Sequence, residues 1–270
     1  MRRPKLIASD VDGTLLDPMA RVTGRTARAV GRVVASGTPF VLVSGRPPRW
    51  IPAVAEATGL AGYAVCSNGA VLYDIGADRV LAEHVLDPVL LHDVAHALER
   101  ALPGIRLAVE RSGTLTGAVP RFSVEHGYVN PWGDADGDPV APRAEVLGHP
   151  ATKLLIRHAE MTSAEMAAAA GDVLNHHAVD VTFSTDHGLL EFSARGVTKA
   201  FGLAEVCDRL DVAAADVLAF GDMPNDVEML RWAGHGVAMA NAHAAALEAA
   251  DEIAAPNSED GVAQVLERWF

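Results

Sequence analysis

The chain is poor in cysteine. Two occur in 270 residues, Cys66 and Cys207, and no Cys-x-x-Cys spacing is present. That argues against a disulfide framework or a cysteine zinc site and predicts two buried, reduced thiols. Positive charge is also scarce, since 22 Lys and Arg face 35 Asp and Glu for a formal net charge of −13. Nonspecific binding to nucleic acid or to an anionic membrane needs a basic face, which this balance argues against. A small anionic substrate stays open, because a metal and one or two local cations override the global field. No apolar run approaches the roughly 18 residues of a membrane span. The basic start Met1-Arg2-Arg3-Pro4-Lys5 imitates a signal peptide, but Asp10 interrupts the apolar segment too early. The expectation is a soluble, cytoplasmic protein. Aromatics are sparse at 5%, yet half the residues are hydrophobic, mostly Ala and Val. That suffices for one large or two modest domains.

The most informative stretch is Asp10-Val11-Asp12-Gly13-Thr14-Leu15-Leu16. It follows Leu6-Ile7-Ala8, a continuous apolar run that reads as a buried parallel strand. Two carboxylates thus stand at the C-terminal edge of a strand, where open α/β sheets bind ligands. Close carboxylates repel, and a metal cation or a division of labour resolves the conflict. Thr14 is expected to shape the turn.

The same punctuation recurs. Strands are expected at 40–43, 64–66, 217–220, 236–239 and 252–254, with helices at 23–35, 52–58, 197–210, 225–233, 242–250 and 261–270. The middle of the chain lacks strict strand–helix alternation. It has helical stretches at 88–102 and 163–175 and strand-like runs at 106–109, 153–157 and 179–184. The predicted fold is α/β: a doubly wound, Rossmann-like parallel-sheet core at 1–83 and 188–270, with an inserted α+β domain at 84–187.

Strand ends and helix starts carry Asp10 and Asp12, then Ser44-Gly45-Arg46, then Lys199, then Gly221-Asp222 with Asn225-Asp226. Gathered at one point, they suit phosphoryl transfer. A phosphate dianion repels a carboxylate nucleophile, so cations must be in place beforehand. Mg²⁺ prefers oxygen ligands and takes only one or two carboxylates, which Asp10 and Asp222 would supply. Lys199 would neutralise a phosphate oxygen as a point charge. The Ser44 hydroxyl and nearby backbone amides would hold the rest.

These motifs resemble those of the haloacid dehalogenase (HAD) superfamily, in the family's order. Asp10-Val11-Asp12-Gly13-Thr14 is similar to its first motif and Ser44-Gly45-Arg46 to its second. Gly196-Val197-Thr198-Lys199 is similar to the third, and Gly221-Asp222-Met223-Pro224-Asn225-Asp226 to the fourth. Ser67-Asn68-Gly69-Ala70, Ala238-Met239-Ala240-Asn241-Ala242 and Asp260-Gly261-Val262-Ala263 resemble its Cof-type, subclass IIB sugar-phosphatase branch. The resemblance implies that Asp10 attacks phosphorus and forms an aspartyl phosphate. Asp12 would protonate the leaving oxygen and then deprotonate the hydrolytic water. Mg²⁺ would be held by Asp10, Asp222 and the backbone carbonyl of Asp12, with Asp226 binding the metal or orienting its water. Asn225 would contact phosphate or metal-bound water, and Arg46 and Asn68 the substrate.

About thirty residues separate Asp12 from Ser44 and about 150 separate Ser44 from Lys199, so a cap fits only the second gap. The implied substrate is a small phosphorylated metabolite, sugar-phosphate-like, whose identity the cap selects. A phosphomutase, or a phosphometabolite-binding protein without turnover, is the alternative. Ala200-Phe201-Gly202 departs from the glycine-containing helix start expected just after the lysine, which puts the local helix packing in question. Oligomeric state is not legible.

Other signals carry less. His92 and His96 stand at i and i+4 on a helix but lack a third zinc ligand. Asp134, Asp136, Asp138 and Glu145 have calcium-loop spacing, but Pro139 occupies the turn that requires glycine. His176-His177 suits the dipole at a helix C-terminus. Tyr128 and Trp132 fit a pocket or ordinary packing equally well.

Overall fold

The structure is a computed structural model that describes residues 3–113, 119–130, 137–174 and 176–270. Trp132, Asp134, Asp136 and Asn175 lie outside the described residues. The chain divides into two compact units, Met1–Ala82 with Thr198–Phe270, and Glu83–Val197.

In the first unit the strands are β1 (Leu6–Ser9), β2 (Phe40–Val43), β3 (Tyr63–Cys66), β4 (Val71–Asp74) and β5 (Arg79–Glu83). The second unit holds β6 (Arg106–Glu110), β7 (Phe122–Val124), β8 (Lys153–Arg157), β9 (Val179–Thr182) and β10 (Leu189–Ala194). The first unit resumes with β11 (Val217–Gly221), β12 (His235–Met239) and β13 (Glu252–Ala254). Its sheet runs β13-β12-β11-β1-β2-β3-β4-β5. The run from β13 to β3 is parallel, and β4 returns antiparallel to β3.

Burial on both faces explains the unbroken apolar strands. Ile7 joins Phe40, Leu42 and Phe220 under helices 24–35, 51–58 and 261–266. Leu6 and Ala8 face the other way, with Leu203, Val206 and Met229 from helices 199–210 and 227–232. The side chains of β1 alternate, but both sides meet protein. Strand order reverses between β1 and β11, so their C-terminal ends bound the crevice where such sheets bind ligands.

The second unit has its own sheet, β7-β6-β8-β10-β9, and its own core under helices Pro88–Ala101 and Ser163–Leu174. One expectation needs correcting here. The core was predicted to resume at 188, but β10 pairs antiparallel with both β8 and β9 and so belongs to the second unit. Its pattern hid it, because Glu191 and Ser193 are buried polar positions and Glu191 pairs with Lys153. The short strands β4 and β5 also went unpredicted, so the large sheet is mixed at one edge.

Local signals account for the helix boundaries. Helix Gly24–Ala35 starts at Thr23, whose Oγ1 accepts the Thr26 N–H at 3.1 Å. Helix Ile51–Thr58 stops at Gly59, where φ is 71°. Helix Lys199–Leu210 begins two residues later than predicted, because Thr198 is its N-cap and accepts the Phe201 N–H. Gly202 settles the packing question there. A Cβ at Gly202 would lie 2.5 Å from Val65 Cγ1 and 2.9 Å from Gly69 Cα, so its bare backbone allows the close approach. Both cysteines are buried thiols outside any disulfide among the described residues. Among the described residues, no helix is long and apolar enough to cross a membrane.

Candidate active site

The ladder between β1 and β11 sets the site. Ser9 is in register with Phe220, and the Asp10 N–H donates to Phe220 O at 2.9 Å. Asp10 and Asp222 therefore leave adjacent strands side by side. Lys199, the first residue of its helix, enters from the neighbouring element and is buried to 1% exposure. Its Nζ donates to Asp10 Oδ1 at 2.5 Å and to Asp226 Oδ1 at 2.6 Å.

Asp226 is fully buried, and its other oxygen accepts the backbone N–H groups of Asp222 and Met223, each at 2.9 Å. It both anchors the lysine and shapes the turn that presents Asp222. Thr14 donates its hydroxyl to Asp222 Oδ1 at 2.7 Å. Gly13, at φ 79°, makes the close approach possible, since a Cβ there would sit 2.2 Å from Asp222 Oδ2.

The cluster is short of positive charge. Three buried carboxylates share one ammonium. Burial raises the pKa of Asp10 well above the usual carboxylate range against the pull of Lys199, and Asp226, Asp222 and Asp12 raise it further. Asp222 is pushed up to about 7, first by burial and then by Asp226, against the hydrogen bond from Thr14. Burial opposes the charge on Lys199, but Asp10 and Asp226 outweigh it and raise its pKa.

One oxygen from each of Asp10, Asp222 and Asp226 lies within 4.8 Å of the others. This all-oxygen, charge-deficient set fits a hard divalent cation. Lys199 occupies Asp10 Oδ1, and Thr14 occupies Asp222 Oδ1. Both Asp226 oxygens have donors, Lys199 Nζ on one and the Asp222 and Met223 N–H groups on the other.

Asp12 stands apart from this cluster. Its carboxylate is 57% exposed, and Arg46 grips it at two points. Arg46 Nε donates to Oδ2 at 2.7 Å and a terminal nitrogen to Oδ1 at 2.6 Å. Arg46 was expected at the substrate, and here it lies on Asp12. Ser44 is buried, and its Oγ accepts the Arg46 N–H at 3.1 Å, with Gly45 between them. Asn225 Nδ2 donates to Asn68 Oδ1 at 3.1 Å, while Asn225 Oδ1 is buried with no hydrogen-bond partner among the described residues. Ser67, Asn68 and Gly69 all have positive φ, a costly run of the kind that clusters at functional sites.

Sequence reasoning missed three contacts to these residues. Thr14 was read as turn-shaping only, yet it holds Asp222. His243 N–H donates to Asp222 O at 2.8 Å, and Asn241 Nδ2 to Gly13 O at 2.9 Å. The Asn241 stretch was noted for its resemblance, without a role.

A family model described as haloacid dehalogenase-like hydrolase matches residues 7–266. The chain is 27% identical to YcsE of Bacillus subtilis, a 5-amino-6-(5-phospho-D-ribitylamino)uracil phosphatase, over 98% of this chain and 95% of that one. It is 28% identical to YitU, a phosphatase of the same description from that organism, over 99% of this chain and 98% of that one. In fold it is similar to the HAD subclass IIB sugar phosphatase BT4131, with a TM-score of 0.82, 21% identity and 98% of each chain covered. The chain belongs to the haloacid dehalogenase-like hydrolases, among their Cof-type phosphatases.

Proposed function

We propose that this phosphatase uses Mg²⁺ and hydrolyses a small, sugar-phosphate-like metabolite through an aspartyl phosphate on Asp10. The observation that carries the reading is Lys199 bound between Asp10 and Asp226 beside Asp222, at the ends of β1 and β11. Asp10 and Asp222, with the Asp12 carbonyl, would hold the metal. When bound, it shields the repulsion between carboxylate and phosphate and stabilises charge on the phosphoryl oxygens.

The chain's own residues do the rest. Lys199 holds the Asp10 carboxylate in place. Asp10 bonds to phosphorus as the bond to the leaving oxygen breaks. Asp12 gives that oxygen its proton. Asp12 then takes a proton from the water that attacks the acyl phosphate, which returns Asp10 and releases inorganic phosphate. The Ser44 hydroxyl and the paired amides of Asn68 and Asn225 are assigned to the phosphate and its surroundings. Substrate selection is assigned to the inserted unit, 84–187 in the sequence reading and Glu83–Val197 by its contacts.

Phosphate release is the test. The Mg²⁺-loaded protein is assayed on p-nitrophenyl phosphate, a panel of sugar phosphates and 5-amino-6-(5-phosphoribitylamino)uracil, the last because YcsE and YitU are named for it. Turnover that disappears in Asp10→Asn supports the reading. No release from any of them, or full activity in Asp10→Asn, overturns it. An isomer formed in place of phosphate assigns a mutase.

A further inference from the structure

The turn that carries Asp12 is irregular. The Leu16 N–H donates to Val11 O across it at 3.0 Å. Between these residues the backbone departs from helix at Asp12 (φ −83°, ψ 124°) and Gly13 (φ 79°, ψ −7°). Carbonyls in such a turn need donors from elsewhere.

Two asparagines supply them. Asn241 Nδ2 donates to Gly13 O at 2.9 Å, and Asn257 Nδ2 donates to Leu16 O at 2.8 Å. The pair is joined as well, because the Asn257 N–H donates to Asn241 Oδ1 at 2.9 Å. These partners fix the orientation of both amides. A backbone carbonyl only accepts and a backbone N–H only donates, so neither side chain can be turned over without losing its bonds. The asparagines come from separate loops, one after β12 and one after β13. The first of these loops also reaches Asp222 through His243 N–H.

We propose that Asn241 and Asn257 are positioning residues that hold the Asp12 carboxyl at the leaving-group oxygen. This rests on the reading of Asp12 as the proton donor. The Asp12 side chain is more than half exposed, and among the described residues its one side-chain partner is Arg46, so its placement depends on that fork and on its backbone. Asn241 fixes the carbonyl of the next residue, and Asn257 fixes the far end of the turn. Releasing either lets the turn relax, and a misplacement of about 1 Å costs up to about a hundredfold in rate.

Leaving-group dependence separates this role from general support. An alkyl phosphate departs as a strongly basic alkoxide and needs the proton. A dinitrophenyl phosphate departs as a stable phenolate and scarcely needs it. In the Mg²⁺-loaded full chain, kcat/KM for the alkyl ester is expected to fall about tenfold in Asn241→Ala and in Asn257→Ala, and about threefold or less for the dinitrophenyl ester. Asn241→Asp keeps an acceptor for the Asn257 N–H but faces the Gly13 carbonyl with a second acceptor, so it should show the same selective loss. Because the same turn carries the Asp12 carbonyl assigned to the metal, all three are assayed at saturating Mg²⁺.

Equal losses on both esters, or none, overturn the proposal. Should Asn241→Ala fail to fold, Asn257→Ala carries the test, since its backbone N–H still reaches Asn241. Asp12→Asn distinguishes the two levels. If it shows the selective loss and the asparagine variants do not, the clamp alone falls. If Asp12→Asn loses both esters equally, the proton-donor reading falls and the clamp with it.

Discussion

Arg46 closes a two-point fork on the carboxylate of Asp12, 34 residues earlier in the chain, through bonds of 2.7 and 2.6 Å. A planar guanidinium matches a carboxylate in this way and an ammonium does not. The pair fixes the direction of a side chain that is otherwise mostly in water. We expect Arg46→Lys to keep the charge and still lose about tenfold in kcat/KM, close to Arg46→Ala, because direction is what the fork supplies. Steady-state kinetics on one sugar phosphate checks this. A lysine variant at full activity would show that charge alone suffices.

Lys199 lies buried between Asp10 and Asp226, at the N-terminal end of its helix, where the dipole disfavours a cation. Only the two carboxylates make that position tenable. Replacing it by methionine removes their shared counter-charge. Breaking a buried ion pair from one side typically costs about 3–5 kcal/mol. Lys199→Met should therefore lose activity entirely and unfold at clearly lower urea. The stability loss should shrink at acid pH, where Asp10 can take up a proton.

How legible this site was follows from where its information lies. Asp10, Asp222, Asp226 and Lys199 each sit beside a strand end or helix start with a local signature, so the sequence places them directly. The fork between Arg46 and Asp12 depends on the register of β1 and β2, and no local pattern reports that. Asn241 and Asn257 donate side-chain hydrogen bonds to backbone carbonyls, which leave no trace in the spacing of charged residues. Within the fold, the buried strands of the large sheet read clearly because both of their faces are apolar. Leu189–Ala194 escaped because its buried Glu191 is satisfied by Lys153, far away in sequence and adjacent only across the ladder.

Asp10 illustrates a conflict between activity and stability. Its carboxylate is buried, and burial with three neighbouring carboxylates raises its pKa against the pull of Lys199. Holding such a charge is costly without a metal. Asp10→Asn removes the charge with almost no change in shape, and Lys199 keeps Asp226. The variant should be inactive, yet at neutral pH its metal-free form should melt no lower than the unsubstituted protein. Calorimetry after chelation checks this, and a large drop in Tm would show that the Asp10–Lys199 bond outweighs the burial of charge.

The same electrostatics fixes how metal and pH act together. Asp222 ionises near 3.8 in an unfolded chain and near 7 in the folded, metal-free protein. Between those values the folded state holds a proton that the unfolded state has released. Stability from this group is therefore greatest below 3.8 and is lost as pH rises toward 7. The raised pKa of Asp10 acts in the same direction. A divalent cation competes with those protons, so its affinity weakens as pH falls below about 7. Bound ligand stabilises by RT ln(1 + [L]/Kd), so the gain tracks that affinity. At one fixed Mg²⁺ concentration, the rise in Tm over the chelated protein should be larger at about pH 8 than at about pH 5.5. Asp222→Asn should flatten the dependence and reduce the gain at the higher pH. An equal or larger gain at the lower pH would mean that the carboxylates of Asp10 and Asp222 are not where the cation binds.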